Sequence, residues 1–523
     1  MGDIYRSAVR TVIWLGPPDD STARAFATCA RLANYAGTDS LEGENVAADA
    51  MKEEFDSNDT SVEDLVEKPW WSRCWVVQEV ILARDVTIVC GWNTMSWDTF
   101  TTAIDIGFAK GVWETHVLGL IESGQFEELQ SFMTMKEVDK LDSVADRFLD
   151  LLFELRQRSA TDHRDKIFAC LGLVNDTSID LAIVPDYQSS TEHVYINATK
   201  AIMTCSGNLD LLGVCSVNQR NESVLKVPSW VPDWSTQGSI ALPLGKDAKG
   251  QRRKFAAAKD SRASPRFTDY SQTIILSGNV FDEITELGDS LPDMAELNWE
   301  VSDLEEDEPC DNTTEKGWFA DLREAGKDFR HAGQMISDIS SNFFALVPYL
   351  STFINWEKLG AIQDPTPVRT GVSHEEVYWR TLCTDQMPEG YTETQRQYRE
   401  WYGSLAPIRS LLRWRVGLAP SIFKPVGLAA YLRSTWQKYP DFGHLMKHLT
   451  HRRLGRTKGG YLCLVPASAQ VGDEIALFRG GRVPLVIRDQ GGGYHTLVGE
   501  AFVLEIMYGD GFEDSACRDI KIR

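Results

Sequence analysis

Several sequence features that define common enzyme classes are missing from this chain of 523 residues. It has no G-x-x-x-x-G-K-[ST] phosphate loop and no G-x-G-x-x-G after a strand. It also has no G-x-S-x-G and no H-E-x-x-H sequence. The sequence therefore offers no motif that would indicate a nucleoside triphosphatase or a dinucleotide-dependent oxidoreductase.

Long apolar runs and secretion signals are also missing. No apolar run approaches the roughly 18–20 residues that a membrane span needs, and the first residues enter amphipathic sequence at once. Ten cysteines are scattered without a C-x-x-C pair or a compact disulfide framework. We therefore expect a cytoplasmic protein with reduced thiols, no membrane span and no resident cofactor.

Basic residues are scarce relative to acidic ones. The chain has 53 Lys and Arg against 76 Asp and Glu, which gives a net charge of −23. This charge argues against a nucleic-acid partner, because a polyphosphate would be repelled. With 43% hydrophobic and 25% charged residues, the chain should fold as a globular protein of two or three lobes.

The first hundred residues predict alternating strands and helices. A Val- and Ile-rich strand is expected over residues 10–16, and a helix with a buried stripe follows it. A Trp-rich helix over residues 69–83 then precedes a second strand, Val86–Cys90. This alternation favours a partial parallel sheet with flanking helices. So few strands leave an exposed sheet edge.

The rest of the chain changes character several times. Residues 282–311 hold 13 acids and no base, whereas residues 405–458 hold 11 bases and one acid, so we expect these stretches to attract each other. Short alternating strands with Gly-rich turns near the end predict a small antiparallel β-barrel or sandwich. The predicted divisions are 1–95 for the α/β lobe, 96–235 for a helical lobe, 236–370 for a linker, strand and acidic segment, 371–455 for a basic helical segment and 456–523 for the β-rich module.

The Trp-rich stretch also carries the strongest candidate for chemistry. Trp75 and Glu79 are one helical turn apart, so the indole of Trp75 is expected to shield the carboxylate of Glu79 from water. The competing interpretation is structural. In that case Glu79 caps nearby backbone or pairs with Arg73 or Arg84.

Three histidines form a weaker candidate. His444, His448 and His451 follow an i, i+4, i+7 spacing that places them on one face of a helix. The surrounding Lys and Arg side chains disfavour a divalent cation, so we expect no metal here.

The order of motifs resembles the fungal heterokaryon-incompatibility (HET) domain. The similarity begins with Ile4-Tyr5 and the strand that ends at Gly16, and its most specific part is the P-W-W-S-R-C-W-V-V-Q-E-V run that starts at Pro69. Downstream, R-D-K-I-F at Arg164 and P-S-W-V-P-D-W at Pro228 also match. Relative to the family, the chain lacks the usual opening strands, which predicts an N-terminal truncation.

The resemblance implies a function in fungal non-self recognition and in the programmed cell death that follows. It implies an interaction or signalling protein with a protein partner or self-association. HET domains resemble Toll/interleukin-receptor (TIR) domains, so an alternative is an NAD-cleaving hydrolase. Glu79 would then be the catalytic carboxylate, with Trp75 and Arg73 binding NAD. A further alternative is a truncated, inactive paralogue.

Overall fold

The computed structural model describes residues 2–35, 60–109, 143–174, 181–215, 225–236, 241–246, 252–268, 272–291, 351–368, 371–388, 390–404 and 446–523. The chain divides into two compact units. The N-terminal unit comprises Met1–Ser239, Ala263–Ile275 and Arg523, and the C-terminal unit comprises Ile240–Arg262 and Leu276–Ile522. The acidic stretch beyond residue 291 and most of the basic stretch lie outside the described residues. Their described parts do lie together, because residues 284–290 pair antiparallel with residues 453–457.

The N-terminal unit combines a small sheet with helices, which confirms the predicted α/β class. A short strand and helix open the chain, and most of the later elements are helical. The elements are α1 Gly2–Ser7, β1 Thr11–Trp14, α2 Thr22–Tyr35, α3 Ser61–Val66, α4 Val76–Ile81, β2 Val86–Cys90, β3 Asn93–Ser96, α5 Trp97–Ala109, α6 Val144–Glu154, α7 Asp165–Leu171, α8 Thr191–Ser206, a 3₁₀ helix Asp210–Val214 and β4 Arg266–Phe267.

The two strands predicted from the first hundred residues lie side by side and run parallel. Thr11 of β1 is in register with Val86 of β2, and Trp14 is in register with Val89. Strand β3 pairs antiparallel with β2, so the order is β1-β2-β3 and β1 lies at an edge of the described sheet. Burial alternates along β1, as expected when one face of a sheet packs on a core.

Helices cover the packed side of this sheet, and local sequence signals set several of their ends. Helix α2 packs against α3 and α5, and α6 packs against α7 and α8. Ser143 and Ser190 cap α6 and α8 by accepting hydrogen bonds from the N–H groups of Asp146 and His193. Gly207 ends α8 in the left-handed conformation, which glycine adopts at little cost.

Two predicted elements differ from the structure. The Trp-rich helix predicted over residues 69–83 is shorter, because turns occupy residues 68–75 and the helix covers only Val76–Ile81. Pro69 and the bulky tryptophans after it favour turns over a continuous helix. The short apolar run over residues 209–214 favours a strand, but it forms a 3₁₀ helix. The tryptophans of the Pro228 loop, Trp230 and Trp234, are buried.

The C-terminal unit is rich in β-structure, as predicted. Its sheet also includes strand β5, which the sequence predicts only over residues 273–278. Residues 351–359 are helical. The other elements are β5 Ile274–Ser290, α9 His374–Leu382, α10 Tyr391–Ser404, 3₁₀ helix Met446–Leu449, β6 Arg452–Thr457, β7 Leu462–Pro466, β8 Glu474–Phe478, β9 Leu485–Asp489, β10 Tyr494–Glu500, 3₁₀ helices Leu504–Ile506 and Asp514–Ala516, and β11 Arg518–Ile522.

The C-terminal sheet closes on itself. Its order is β11-β10-β9-β8-β5-β6-β7, and β11 also pairs with β5, so β5, β8, β9, β10 and β11 form a ring. Strand β5 pairs antiparallel with β6 and β8, and β9 pairs antiparallel with β8 and β10. Strands β10 and β11 run parallel. Closure pairs β11, which would otherwise be an edge strand, whereas β7 stays at the other end of the order. Helix α9 packs on β7 through buried aromatic side chains, among them Tyr378 and Trp379.

No helix in the described ranges is long and apolar enough to cross a membrane.

Candidate functional site

The candidate carboxylate Glu79 lies on helix α4 and is half-buried. The indole Nε1 of Trp70 donates a hydrogen bond to its Oε2 at 3.3 Å. Trp70 itself is buried and meets the ring of Trp71 edge to face, with centroids 5.0 Å apart. Glu79 is therefore held against the turn that precedes its own helix.

Tyr5 on helix α1 is a second partner of this carboxylate. Its hydroxyl lies beside the Glu79 carboxylate and interacts with its charge. Burial and the Glu79 charge raise the pKa of Tyr5, while the charge of Arg73 opposes that rise. Helix α1 packs on α4, which brings Tyr5 and Glu79 together. The chain thus gathers Tyr5, Trp70, Arg73 and Glu79 at one site of the N-terminal unit.

The indole that hydrogen-bonds Glu79 belongs to Trp70, and Trp75 is the half-buried residue just before helix α4. The expected shielding of Glu79 by the indole of Trp75 stays a prediction. The structural interpretation changes, because the hydrogen-bond donor to Glu79 is Trp70 rather than Arg73 or Arg84.

Buried cations fix the turn on which Trp70 and Arg73 lie. Arg158 is 1% exposed and donates to the carbonyl of Trp71. Lys166 donates to the carbonyl of Arg158 and, at 2.7 Å, to that of Arg156. Buried charged donors are costly unless they are paired in this way, so they tie the turn firmly to the helical part of the unit.

A backbone bridge reinforces that turn. Arg73 and Ser159 form an isolated β-bridge, and the N–H of Cys74 donates to the carbonyl of Ser159 at 2.9 Å. The side chain of Arg73 remains exposed. It is therefore a cation on a rigid support beside the Tyr5–Glu79 pair.

Helix α4 is fixed from its opposite face by Gln78. This side chain is 1% exposed, and its Nε2 donates to the carbonyl of Ala169 at 2.7 Å. Gly172 gives the amide its room, because a Cβ there would lie 2.4 Å from Nε2 of Gln78. Glu79 thus sits on a helix that cannot rotate without breaking a buried hydrogen bond.

The arrangement suits a fixed negative charge. The indole N–H of Trp70 holds the carboxylate in place, and the hydroxyl of Tyr5 and an exposed guanidinium lie nearby. Such a group can stabilise a developing cation electrostatically, which an NAD-cleaving reaction requires. It can equally serve as a bridge that joins α1, the Trp-rich turn and α4.

A second polar group lies at the carboxyl end of β1, where ligands bind in many parallel sheets. Here Asp19 accepts hydrogen bonds from Lys68, Thr22 and Ser21, which hold the pKa of Asp19 well below its usual range. It also accepts from the N–H of Thr22 at the start of α2. Asp19 is thus committed to capping a helix.

The histidine candidate does not form the predicted helical face. His444 lies outside the described residues. His448 is fully buried, with its Nδ1 3.5 Å from the carbonyl of Leu242, and the 3₁₀ helix ends at Leu449. His451 lies beyond that end with a φ of 59°. Among the described residues no group of three or more His, Cys, Asp or Glu is arranged to hold a metal ion.

Comparisons with known proteins agree with the motif order. Residues 1–79 match the family model described as heterokaryon incompatibility protein (HET), and residues 434–520 match the Het-6 β-barrel domain. These two matches support a HET-domain protein.

A relative is similar over nearly the whole length. The chain is 23% identical over 580 aligned residues to "Heterokaryon incompatibility protein 6, OR allele" from Neurospora crassa, an alignment that covers 99% of this chain and 79% of the relative. No solved structure matches the chain significantly.

Proposed function

We propose that this protein acts in fungal non-self recognition, as a cytoplasmic interaction or signalling protein whose engagement leads to growth arrest and cell death. One observation carries the proposal. The chain aligns end to end with a heterokaryon incompatibility protein, and a HET domain and a Het-6 barrel occur at its two ends. A TIR-like arrangement of the α/β lobe belongs to the same proposal.

The contacts of Glu79 favour the interaction role over catalysis. Trp70 already hydrogen-bonds this carboxylate, and the hydroxyl of Tyr5 lies beside it. A substrate ribose would have to displace or share these groups before Glu79 could bind it. The buried supports from Arg158, Lys166 and Gln78 also suit a rigid recognition surface.

A heterokaryon assay tests the proposal. Strains that differ only in the allele of this gene are fused, and the growth of the mixed mycelium is compared with that of self-fusions. We expect the mixed mycelium to arrest while self-fusions grow normally. Vigorous growth of both, with the protein detectably expressed, would contradict the proposed role.

NAD cleavage is the second candidate, and the exposed Arg73 near the Tyr5–Glu79 pair is the observation that favours it. In this alternative Glu79 stabilises the ribosyl cation, Arg73 contacts a phosphate and Trp75 shapes the pocket. Purified protein is incubated with NAD, and nicotinamide release is followed for the wild type and for Glu79→Gln. The matched control is Glu67→Gln, which changes an exposed acid outside the cluster.

The interaction proposal predicts no nicotinamide release by any of these proteins. Release that Glu79→Gln abolishes and Glu67→Gln preserves would establish the enzyme. Release that survives Glu79→Gln would show catalysis by other residues.

A further inference from the structure

Strand β1 has one bonded edge and one open edge in the described part of the chain. The N–H of Thr11 donates to Asp85 at 2.8 Å, and the N–H of Leu15 donates to Val89 at 2.9 Å. Backbone direction alternates along a strand, so the N–H and C=O groups of Val12 and Trp14 point away from β2. No strand among the described residues pairs with that side.

The same two residues also expose their side chains. Val12 is 58% exposed and Trp14 is 56% exposed, whereas Ile13 between them is fully buried. Exposed tryptophans next to aliphatic side chains are typical of protein interaction sites. Backbone and side chains of β1 are therefore available to one and the same partner.

Strand β1 is short, at four residues, but it lacks the other protections of an edge strand. Natural sheets protect such edges with lysines, inward charges, prolines or bulges. Residues 11–16 contain none of these residue types, and β1 pairs with β2 without a register shift. The first prolines, Pro17 and Pro18, follow the end of the strand.

We propose that a second copy of this chain pairs with this edge, with the two β1 strands antiparallel about a two-fold axis at Ile13. Val12 of each copy then lies opposite Trp14 of the other, and the two residues exchange N–H···O=C hydrogen bonds. With the axis at Ile13, the exposed face of one β1 strand continues into the exposed face of the other, and the buried faces do the same. The interface is self-complementary, as a two-fold dimer requires.

Charge favours a second copy at this strand over other parts of the surface. The chain carries a net charge of −23, so most surfaces of two copies repel each other. Residues 11–18 contain no charged residue, and the pairing sets no like charges opposite each other. Added salt screens the remaining repulsion, so the dimer should strengthen as ionic strength rises.

The buried area sets the expected strength. An aromatic side chain buries roughly 150–250 Å², so the half-exposed Trp14 and Val12 of both copies together offer about 300–400 Å². Stable interfaces bury about 1,200–2,000 Å². The dimer is therefore weak.

This inference rests on the proposed interaction role, but its test does not depend on the heterokaryon assay. Sedimentation velocity of the full-length protein, from about 5 to 300 μM at low and high salt, should show a shift from 58.7 kDa toward twice that mass. Trp14→Lys should raise the dissociation constant at least tenfold. The matched control is Trp92→Lys, because Trp92 is 97% exposed in the turn between β2 and β3, away from the open edge.

Cross-linking tests the register. Paired residues in an antiparallel ladder have Cα atoms about 5.5 Å apart, which suits a disulfide. A mixture of Val12→Cys and Trp14→Cys proteins should form a covalent dimer on oxidation, while each variant alone should not. A monomer at all concentrations, equal effects of the Trp14 and Trp92 substitutions, or cross-linking of either variant alone would overturn the proposal.

Discussion

Trp70 and Glu79, nine residues apart, are joined by a hydrogen bond of 3.3 Å from the indole Nε1 to the carboxylate. The bond links the Trp-rich turn to helix α4, and Tyr5 adds a link to helix α1. Three separate segments therefore meet at one carboxylate. If these contacts stabilise the N-terminal unit, removing the Glu79 carboxylate should lower the free energy of unfolding of that unit.

A double-mutant cycle measures this link. Trp70→Phe removes the donor and keeps a ring, and Glu79→Gln removes the charge. Hydrogen bonds to charged groups contribute about 1.5–3 kcal/mol, so we expect each variant to lose about 1–3 kcal/mol in urea unfolding. A coupling energy near zero would show that the two side chains act independently.

Tryptophans of the same stretch should differ sharply in their effect on stability. Trp71 is 3% exposed and stacks on Phe100 with centroids 5.2 Å apart, whereas Trp75 is half-buried. Trp71→Ala should therefore lose about 3–5 kcal/mol. Trp75→Ala should lose less than half as much, and equal losses in thermal or urea unfolding would contradict this assignment.

The buried ion pair of the C-terminal unit gives a third prediction. Arg452 and Glu500 are each 2% exposed and lie 3.4 Å apart, and Glu500 also accepts from the N–H of Leu244 at 2.6 Å. Burial lowers the pKa of Arg452 to about 10, and the charge of Glu500 opposes that shift.

Removing one partner leaves the other buried and unpaired. Glu500→Gln should lose about 3–5 kcal/mol. The double variant Arg452→Met/Glu500→Leu should recover part of that loss, because no unpaired charge remains. If urea unfolding shows that the double variant is less stable than Glu500→Gln, the predicted cost of an unpaired buried charge is contradicted.

Glu505 gives a prediction about pH. Burial raises its pKa above the usual value for glutamate, and its Oε2 is buried without a hydrogen bond. A folded-state pKa above the unfolded one favours the folded state only while the carboxyl is protonated, so stability falls as pH rises from about 4.5 through the folded pKa. Glu505→Gln should therefore stabilise the protein at pH 7 by about 1 kcal/mol. The gain should vanish near pH 4, and a gain that persists there would contradict the assignment.

The sequence predicts two of the three strands of the N-terminal sheet well, because Val- and Ile-rich runs bounded by turns carry a strong local signal, but it misses β3, Asn93–Ser96. Val86–Cys90 appears with the predicted bounds, and its parallel pairing with β1 follows from the alternation of strands and helices. The predicted helix over residues 69–83 is longer than the observed one. Pro69 and the buried tryptophans impose a turn, but the side-chain periodicity continues through that turn and therefore does not reveal it. The division into five segments stays a prediction.

The site is only partly predictable. Glu79 and Arg73 stand out by motif and charge, but Trp70 and Tyr5 do not. Trp70 reaches Glu79 across a turn rather than along a helix face, and Tyr5 arrives from a helix that packs on α4. Neither contact follows a fixed spacing in the sequence, so helical periodicity does not reveal it. The spacing of one helical turn points to Trp75 as the neighbour of Glu79.

Fusion of strains that differ only at this gene tests the central claim most directly. We expect mixed mycelium to arrest, deletion of the gene to restore vigorous growth, and the purified protein to release no nicotinamide from NAD. Normal growth of the mixed mycelium, together with NAD cleavage that Glu79→Gln abolishes, would contradict the claim.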